Sequence, residues 1–428
     1  MKIPLSNAFD THWAYVQRYM GSSVNVILRT KLDKRFSISE LDNAIDILVL
    51  MHPYLVSKVC EETVGTDSQF FLETIDGQMI SSHFNDVNDS EIDAVLNKCS
   101  RYRDHCFNFG SGELAHIEIW RDAHHTLIEL SCAHLLTDVT GALILMSDFL
   151  RSLDNQVERR DLCVSQKQRL PFDEKRYGWK NTPNKIHPLP LPEVLSQNAE
   201  KWPSLTFNYL RREFSTDKFL AIKNYLSDRN IKAKVPDFFY YILSLMYASE
   251  YDGSIQTNVI LSFRNLLESY EEINSINTLA VFAHVDMSAE NLADQKSWIE
   301  YFYAARKKIV SVEEVIGFMN FFRCLNISMP GNDVIKGRQL LNTLLPVNSQ
   351  DAVFVFNNYG VIDQYFSSFK RFKVVDIDVQ DGVLAQEVRM FSFDGKVYFN
   401  MMFSPETVPF SVSEFWEKFN FHIDKILI

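Results

Sequence analysis

The chain has 428 residues, long for one hydrophobic core, so two domains are the natural expectation. Hydrophobic residues make up 46% and charged residues 23%, an ordinary globular composition, and the net charge of −12 argues against a nucleic-acid partner. The six cysteines form no C-x-x-C pair, which disfavours a zinc ribbon or a redox dithiol. The N-terminal MKIPLSNAFDTHWAYVQ lacks the apolar run of a signal peptide. No stretch of about 18 apolar residues occurs, so no membrane span and a reduced, cytoplasmic setting are expected. The 33 phenylalanines imply large aromatic cores.

Residues 24–32, VNVILRTKL, predict a strand. Ser39 precedes an amphipathic helix built on Leu41, Ala44, Ile45, Leu48 and Val49, and Pro53 ends it. Residues 56–60, 69–75 and 114–120 read as strands, and Ser90 to Arg101 as a helix. His124 and His125 fall at a hairpin turn, where solvated side chains are expected. In LIELSC, Ile128, Leu130 and Cys132 alternate with Glu129 and Ser131, the pattern of a half-buried strand. The chain then turns through HLLTD into a helix. Val139, Leu143, Met146, Leu150 and Leu153 recur at helical spacing, and Asp138 is the expected N-cap. His134 therefore lies where a strand gives way to a tight turn, held by rigid elements on both sides.

Asp154 to Ser204 has no periodicity and carries PLPLP, as a connector or functional loop would. The expected organisation is an N-terminal lobe over 1–170, a crossover linker over 171–204 and a C-terminal lobe over 205–428. The second lobe opens with LTFNYLRREFS. Ser215 caps a first helix and Val235 begins a second, strongly apolar one. Strands follow at TNVILSF and TLAVFAHVDMS, then a helical region over 295–345. The strands DAVFVFNNYG, FKVVDIDVQ, LAQEVRMFSFD and KVYFNMMFS precede a final helix from Val412 to Leu427. Strands and helices mix without strict alternation, which predicts a two-lobe α/β sandwich.

His134 and Asp138 are spaced H-x-x-x-D, with LIELS before them and ALILMSDFL after. This stretch resembles the HHxxxDG signature of the condensation-domain and chloramphenicol-acetyltransferase-like superfamily. That group includes alcohol acetyltransferases, polyketide-associated acyltransferases and peptide-synthetase condensation domains. Ala133 stands where the signature has its first His, and Val139 where it has Gly. His52, Pro53 and Leu55 are similar to a His-Pro-x-Leu segment of the family, which makes His52 structural. Asn358 and Gly360 are similar to its S-N-x-G segment beside the active site, with Asn357 in place of Ser. The D-F-G-W-G segment of plant-type acyltransferases does not occur.

The resemblance implies two chloramphenicol-acetyltransferase-like lobes of mixed sheets flanked by helices, with the active site at their interface. It implies His134 as the catalytic residue and an ion pair between Asp138 and an arginine ending a second-lobe strand. TNVILSFRNLL places Arg264 in that role. Asn358 and Gly360 become candidate substrate-binding residues, and no metal is implied. A neutral imidazole, with an ordinary pKa of about 6.5, can take a proton from an alcohol or amine. The expected function is an acyltransferase moving an acyl group from a thioester, acyl-CoA or acyl carrier protein, to a hydroxyl or amine. His134 is then the general base, and no cofactor is needed. The expected partners are a small-molecule acceptor and the acyl thioester, on CoA or a carrier protein. Ala133 and Val139 motivate an alternative, a catalytically inactive condensation-like module that recruits a carrier or partner protein. Cys132 shares a strand face with His134 and is a conceivable nucleophile, although buried strand cysteines are commonly inert.

Overall fold

The computed structural model describes residues 2–5, 8–20, 24–64, 67–103, 105–157, 208–249, 255–267, 279–286, 294–309, 311–328, 352–381, 386–403 and 411–428. The linker expected at 171–204 and the 329–345 part of the expected helical region lie outside the described residues. In the first part of the chain the elements are β1 (Lys2–Pro4), α1 (Ala8–Met20), β2 (Asn25–Leu32), α2 (Ile38–Met51), β3 (Ser57–Val64) and β4 (Asp67–Thr74). Next come β5 (Ser81–Asp86), α3 (Asp89–Leu96), β6 (Ala115–Arg121), β7 (Thr126–Ala133) and α4 (Val139–Leu153). After the linker follow β8 (Asn208–Phe214), α5 (Thr216–Asp228), α6 (Val235–Ala248), β9 (Ile255–Ser262), β10 (Ala280–Asp286), α7 (Gln295–Ile309) and α8 (Val312–Ser328). The chain closes with β11 (Ala352–Val361), β12 (Val374–Asp381), β13 (Gln386–Phe393), β14 (Lys396–Phe403) and α9 (Val412–Leu427).

Ser215 caps α5 as expected. Helix α2 begins ahead of Ser39, at Ile38, because Ser37 accepts the Glu40 N–H and forms a capping box with Glu40, and Ser411 caps α9 in the same way. The helix expected over 90–101 begins one residue earlier, at Asp89 behind the Asn88 capping box with Glu91, and is shorter because it stops at Leu96. Strand β5 carries no apolar alternation. It is an edge strand, largely open to solvent and paired parallel to β6, so burial did not select its sequence.

Among the described residues the strands form three sheets, in the orders β1-β4-β3, β12-β2-β7-β6-β5 and β10-β9-β11-β13-β14-β8. The five-stranded sheet packs with α1, α2 and α4 on a first core that includes Leu28, Leu48, Ile128, Leu130 and Leu145. The six-stranded sheet and α5, α6, α7 and α9 surround a second core, rich in aromatics such as Phe238, Phe239, Phe356, Phe399 and Phe419. The architecture is thus a two-lobe mixed α/β fold, as expected. One strand crosses between the halves: β12 follows β11 in sequence yet pairs antiparallel with β2, Ile377 opposite Thr30 and Val379 opposite Leu28. Helix α8 also spans them, with Val315, Ile316 and Met319 in the second core and Phe322 in the first.

The polar face of β7 departs from expectation. A half-buried strand would turn Glu129 and Ser131 to water, yet the whole strand is buried. Arg29 on β2 donates its Nε–H to Glu129 Oε2 at 2.7 Å, and Ser100 Oγ donates to Glu129 Oε1 at 2.7 Å. Period-2 alternation therefore separates an apolar core face from a buried polar face, not from solvent.

Candidate active site

The loop after β7 is fixed at both ends by backbone hydrogen bonds. The His134 N–H donates to Val24 O at 2.9 Å, and the Thr137 N–H returns to His134 O at 3.3 Å. His134 emerges half-buried at this turn, and its imidazole stacks on the Trp13 indole of α1, with centroids 4.8 Å apart and planes 24° apart. Ala133, next to it, is buried in the first core and pairs with Asn25. Val139, the first residue of α4, is likewise buried there. The two residues that stand in place of the signature's His and Gly are therefore packing residues here.

Asp138 caps α4 and does more than cap it. Its Oδ1 accepts the Gly141 N–H at 2.8 Å and an Arg264 Nη2–H at 2.7 Å, and its Oδ2 accepts the Leu279 N–H at 3.0 Å. Both Asp138 and Arg264 are only 7% exposed. A buried carboxylate needs a cation and several donors, and this one has them. Arg264 follows β9 and Leu279 precedes β10, which pair with each other, so one carboxylate ties the His134 loop to an edge hairpin of the six-stranded sheet. His134 thus sits beside the junction of the two lobes.

Asn358 and Gly360 lie at a bulge in the pairing of β11 with β13. Gly360 has φ +71°, the left-handed region that glycine occupies without strain. The exposed Asn358 side chain accepts the Gly360 N–H at 3.0 Å, so these two residues bond to each other across the bulge. The neighbouring Asn357 is the inward side chain. It is buried and donates to Glu387, within a cluster where Arg389 donates to Glu387 and to Asp381. Burial raises the Glu387 carboxyl well above the usual carboxylate range, against the pull of Arg389.

The remaining sequence candidates separate cleanly. His52 is fully buried, bonded through Nδ1 to the Tyr54 hydroxyl at 2.5 Å and through Nε2 to Asp148 at 2.9 Å, a bridge between the end of α2 and α4. His124 is exposed and His125 half-buried in the β6–β7 turn, where Asp122 accepts both backbone N–H groups. Cys132 is fully buried, and burial pushes its thiol up to about 12, which suppresses the thiolate a nucleophile would need. Sequence reading passed over Trp13 and His12. Their helix α1 turns Asp10, His12 and Gln17 inward, and these polar residues on the buried face hide its apolar period. Among the described residues, two open concavities of about 450 and 470 Å³ lie elsewhere, one beside Gly112 and Met79, the other beside Tyr225 and Lys296. No helix among the described residues is long and apolar enough to cross a membrane.

No protein-family model and no curated protein matches the chain by sequence. Solved structures do match its shape. The first condensation domain of the CDA synthetase aligns with a TM-score of 0.69 at 10% identity, over 100% of this chain and 96% of that one. The trichothecene 15-O-acetyltransferase TRI3 of Fusarium sporotrichioides aligns with a TM-score of 0.66 at 10% identity, over 100% and 94%. F. sporotrichioides TRI101, solved with coenzyme A and T-2, aligns with a TM-score of 0.64 at 10% identity, over 95% of each chain. The chain therefore shares its two-lobe fold with these condensation domains and acetyltransferases.

Proposed function

We propose that the protein is an acyltransferase that moves an acyl group from a thioester to a hydroxyl or amine, with His134 as general base. In this reading His134 takes the proton of the acceptor as its oxygen or nitrogen attacks the thioester carbonyl. The tetrahedral intermediate then collapses, the C–S bond breaks, and the leaving sulfur takes the proton from His134, which releases a thiol and restores the neutral imidazole. The thioester is a substrate, so the reaction as written calls on no bound cofactor. The observation that carries the reading is the setting of His134, a half-buried imidazole at the end of β7 on a loop tied to both lobes. Clefts between domains are common ligand sites. Proteins of this fold include one solved with coenzyme A and T-2, and others that are condensation domains, so CoA and carrier-protein thioesters are both candidate donors.

The burial of Ala133 and Val139 in the core favours one second reading, a binding module that keeps the fold and recruits a carrier or partner protein. Wild type and His134→Ala, incubated with acyl-CoAs and carrier-bound acyl groups and a panel of acceptors, separate the two. Thiol release by wild type, reduced at least ~100-fold in His134→Ala at unchanged melting temperature, is the expected result for the enzyme. Folded wild type that binds a carrier yet releases no thiol from any donor would instead establish the module.

A further inference from the structure

We propose that Trp13 is the positioning residue for His134, its indole face holding the imidazole in one orientation at the end of β7. This inference rests on the reading of His134 as a base. The backbone of His134 is fixed by its bonds to Val24 and Thr137, and these do not themselves set the side-chain torsions that aim the ring. A flat partner at 4.8 Å and 24° restricts those torsions as a rounded aliphatic side chain would not. General-base transfer requires a ring nitrogen within hydrogen-bond reach of the acceptor proton, so ring orientation bears on rate more than on binding.

Helix α1 is suited to the role because it is itself anchored. Ala14 and Val16 are buried in the first core, Tyr15 packs edge-on against Phe70, and Gln17 Nε2–H donates to Phe107 O at 2.5 Å. The adjacent His12 ring lies 4.7 Å from Phe322 on α8, the helix that spans both cores. Consecutive residues of one helix therefore touch the candidate base and the element shared by the lobes. Trp13 is half-buried, packed against the outside of the first core and not within it.

The test compares Trp13→Phe, which keeps a flat ring, with Trp13→Leu and Trp13→Met, which do not. Steady-state acyl transfer should show kcat lowered roughly tenfold in the Leu and Met variants, with KM and melting temperature unchanged and most of kcat recovered in Trp13→Phe. A second readout does not depend on turnover: the ring resonances of isotope-labelled His134, assigned by comparison with His134→Gln. Wild type and Trp13→Phe should show one ordered ring, and the Leu and Met variants exchange-broadened or doubled signals. An equally ordered ring in the aliphatic variants, or a loss expressed in KM alone, would overturn the proposal. If wild type transfers no acyl group, the acyltransferase reading fails, and ring order by itself then decides whether Trp13 positions His134.

Discussion

At the scale of single residues, the Asp138 carboxylate is the most densely bonded group beside the candidate base, with donors from Arg264, Gly141 and Leu279. Removing either member of a buried ion pair leaves the other charge without compensation, at a typical cost of about 3–5 kcal/mol. Asp138→Ala and Arg264→Ala should each lower stability by about that much, because both side chains are buried. Their double mutant should lose much less than the sum, since the second change removes a charge already stranded. Urea denaturation of the four proteins measures the coupling. Additive losses would mean that Asp138 acts as a helix cap alone, whose removal costs roughly 1 kcal/mol.

At the scale of elements, α1 meets α8, the helix that spans both cores, through a histidine that does not protonate easily. Burial lowers His12 to about 3, so it is neutral in the native protein near neutral pH. An unfolded histidine titrates near pH 6.5, so below that value the unfolded chain binds a proton that the native chain refuses. The stability owed to neutral His12 is therefore complete above about pH 6.5 and drains away as the pH falls toward 3. At pH 5 the loss amounts to about 2 kcal/mol. His12→Phe preserves the ring contact with Phe322 and should be less sensitive to acid by that amount. Denaturation at pH 7 and pH 5 checks it, and equal losses in the two proteins would show that His12 is not the group responsible. His116, lowered to about 4 chiefly by burial, should leave part of the acid sensitivity in both.

At the scale of the whole molecule, a buried polar layer connects the five- and six-stranded sheets. Its centre is Asp378 on β12, which accepts from the Tyr209 hydroxyl on β8, from Asn400 Nδ2 on β14 at 2.7 Å and from Gln380 Nε2 at 2.7 Å. Arg29 Nη1 on β2 lies 3.6 Å away. Arg211 on β8 pairs with Asp376, two residues before Asp378 on β12. Asp378→Ala should cost about 3–5 kcal/mol, and Asp378→Asn less, because the amide keeps an acceptor oxygen. Amide hydrogen exchange should show lost protection in β2 and β8 together, one in each sheet. Loss confined to β2 would mean that the layer is not shared.

The sequence alone determined what depends on neighbours along the chain. Apolar period set β2, β7 and α4, a serine cap set α5, and a strand running into HLLTD put His134 at a turn with Asp138 capping the next helix. The resemblance carried by these residues named the two-lobe fold and singled out Arg264. Tertiary structure alone decided what depends on the other face of each element. Glu129 reads as a solvent residue until Arg29 and Ser100 cover it, and α1 hides its period because its inward face carries Asp10, His12 and Gln17. Strand β12 reads like any other strand of the second half, yet it closes the edge of the first sheet beside β2. Trp13 and His134 are 121 positions apart in the chain, and their contact follows from the packing of α1 over the end of β7. Burial and pairing at such separations depend on which faces meet, and local periodicity carries no record of that.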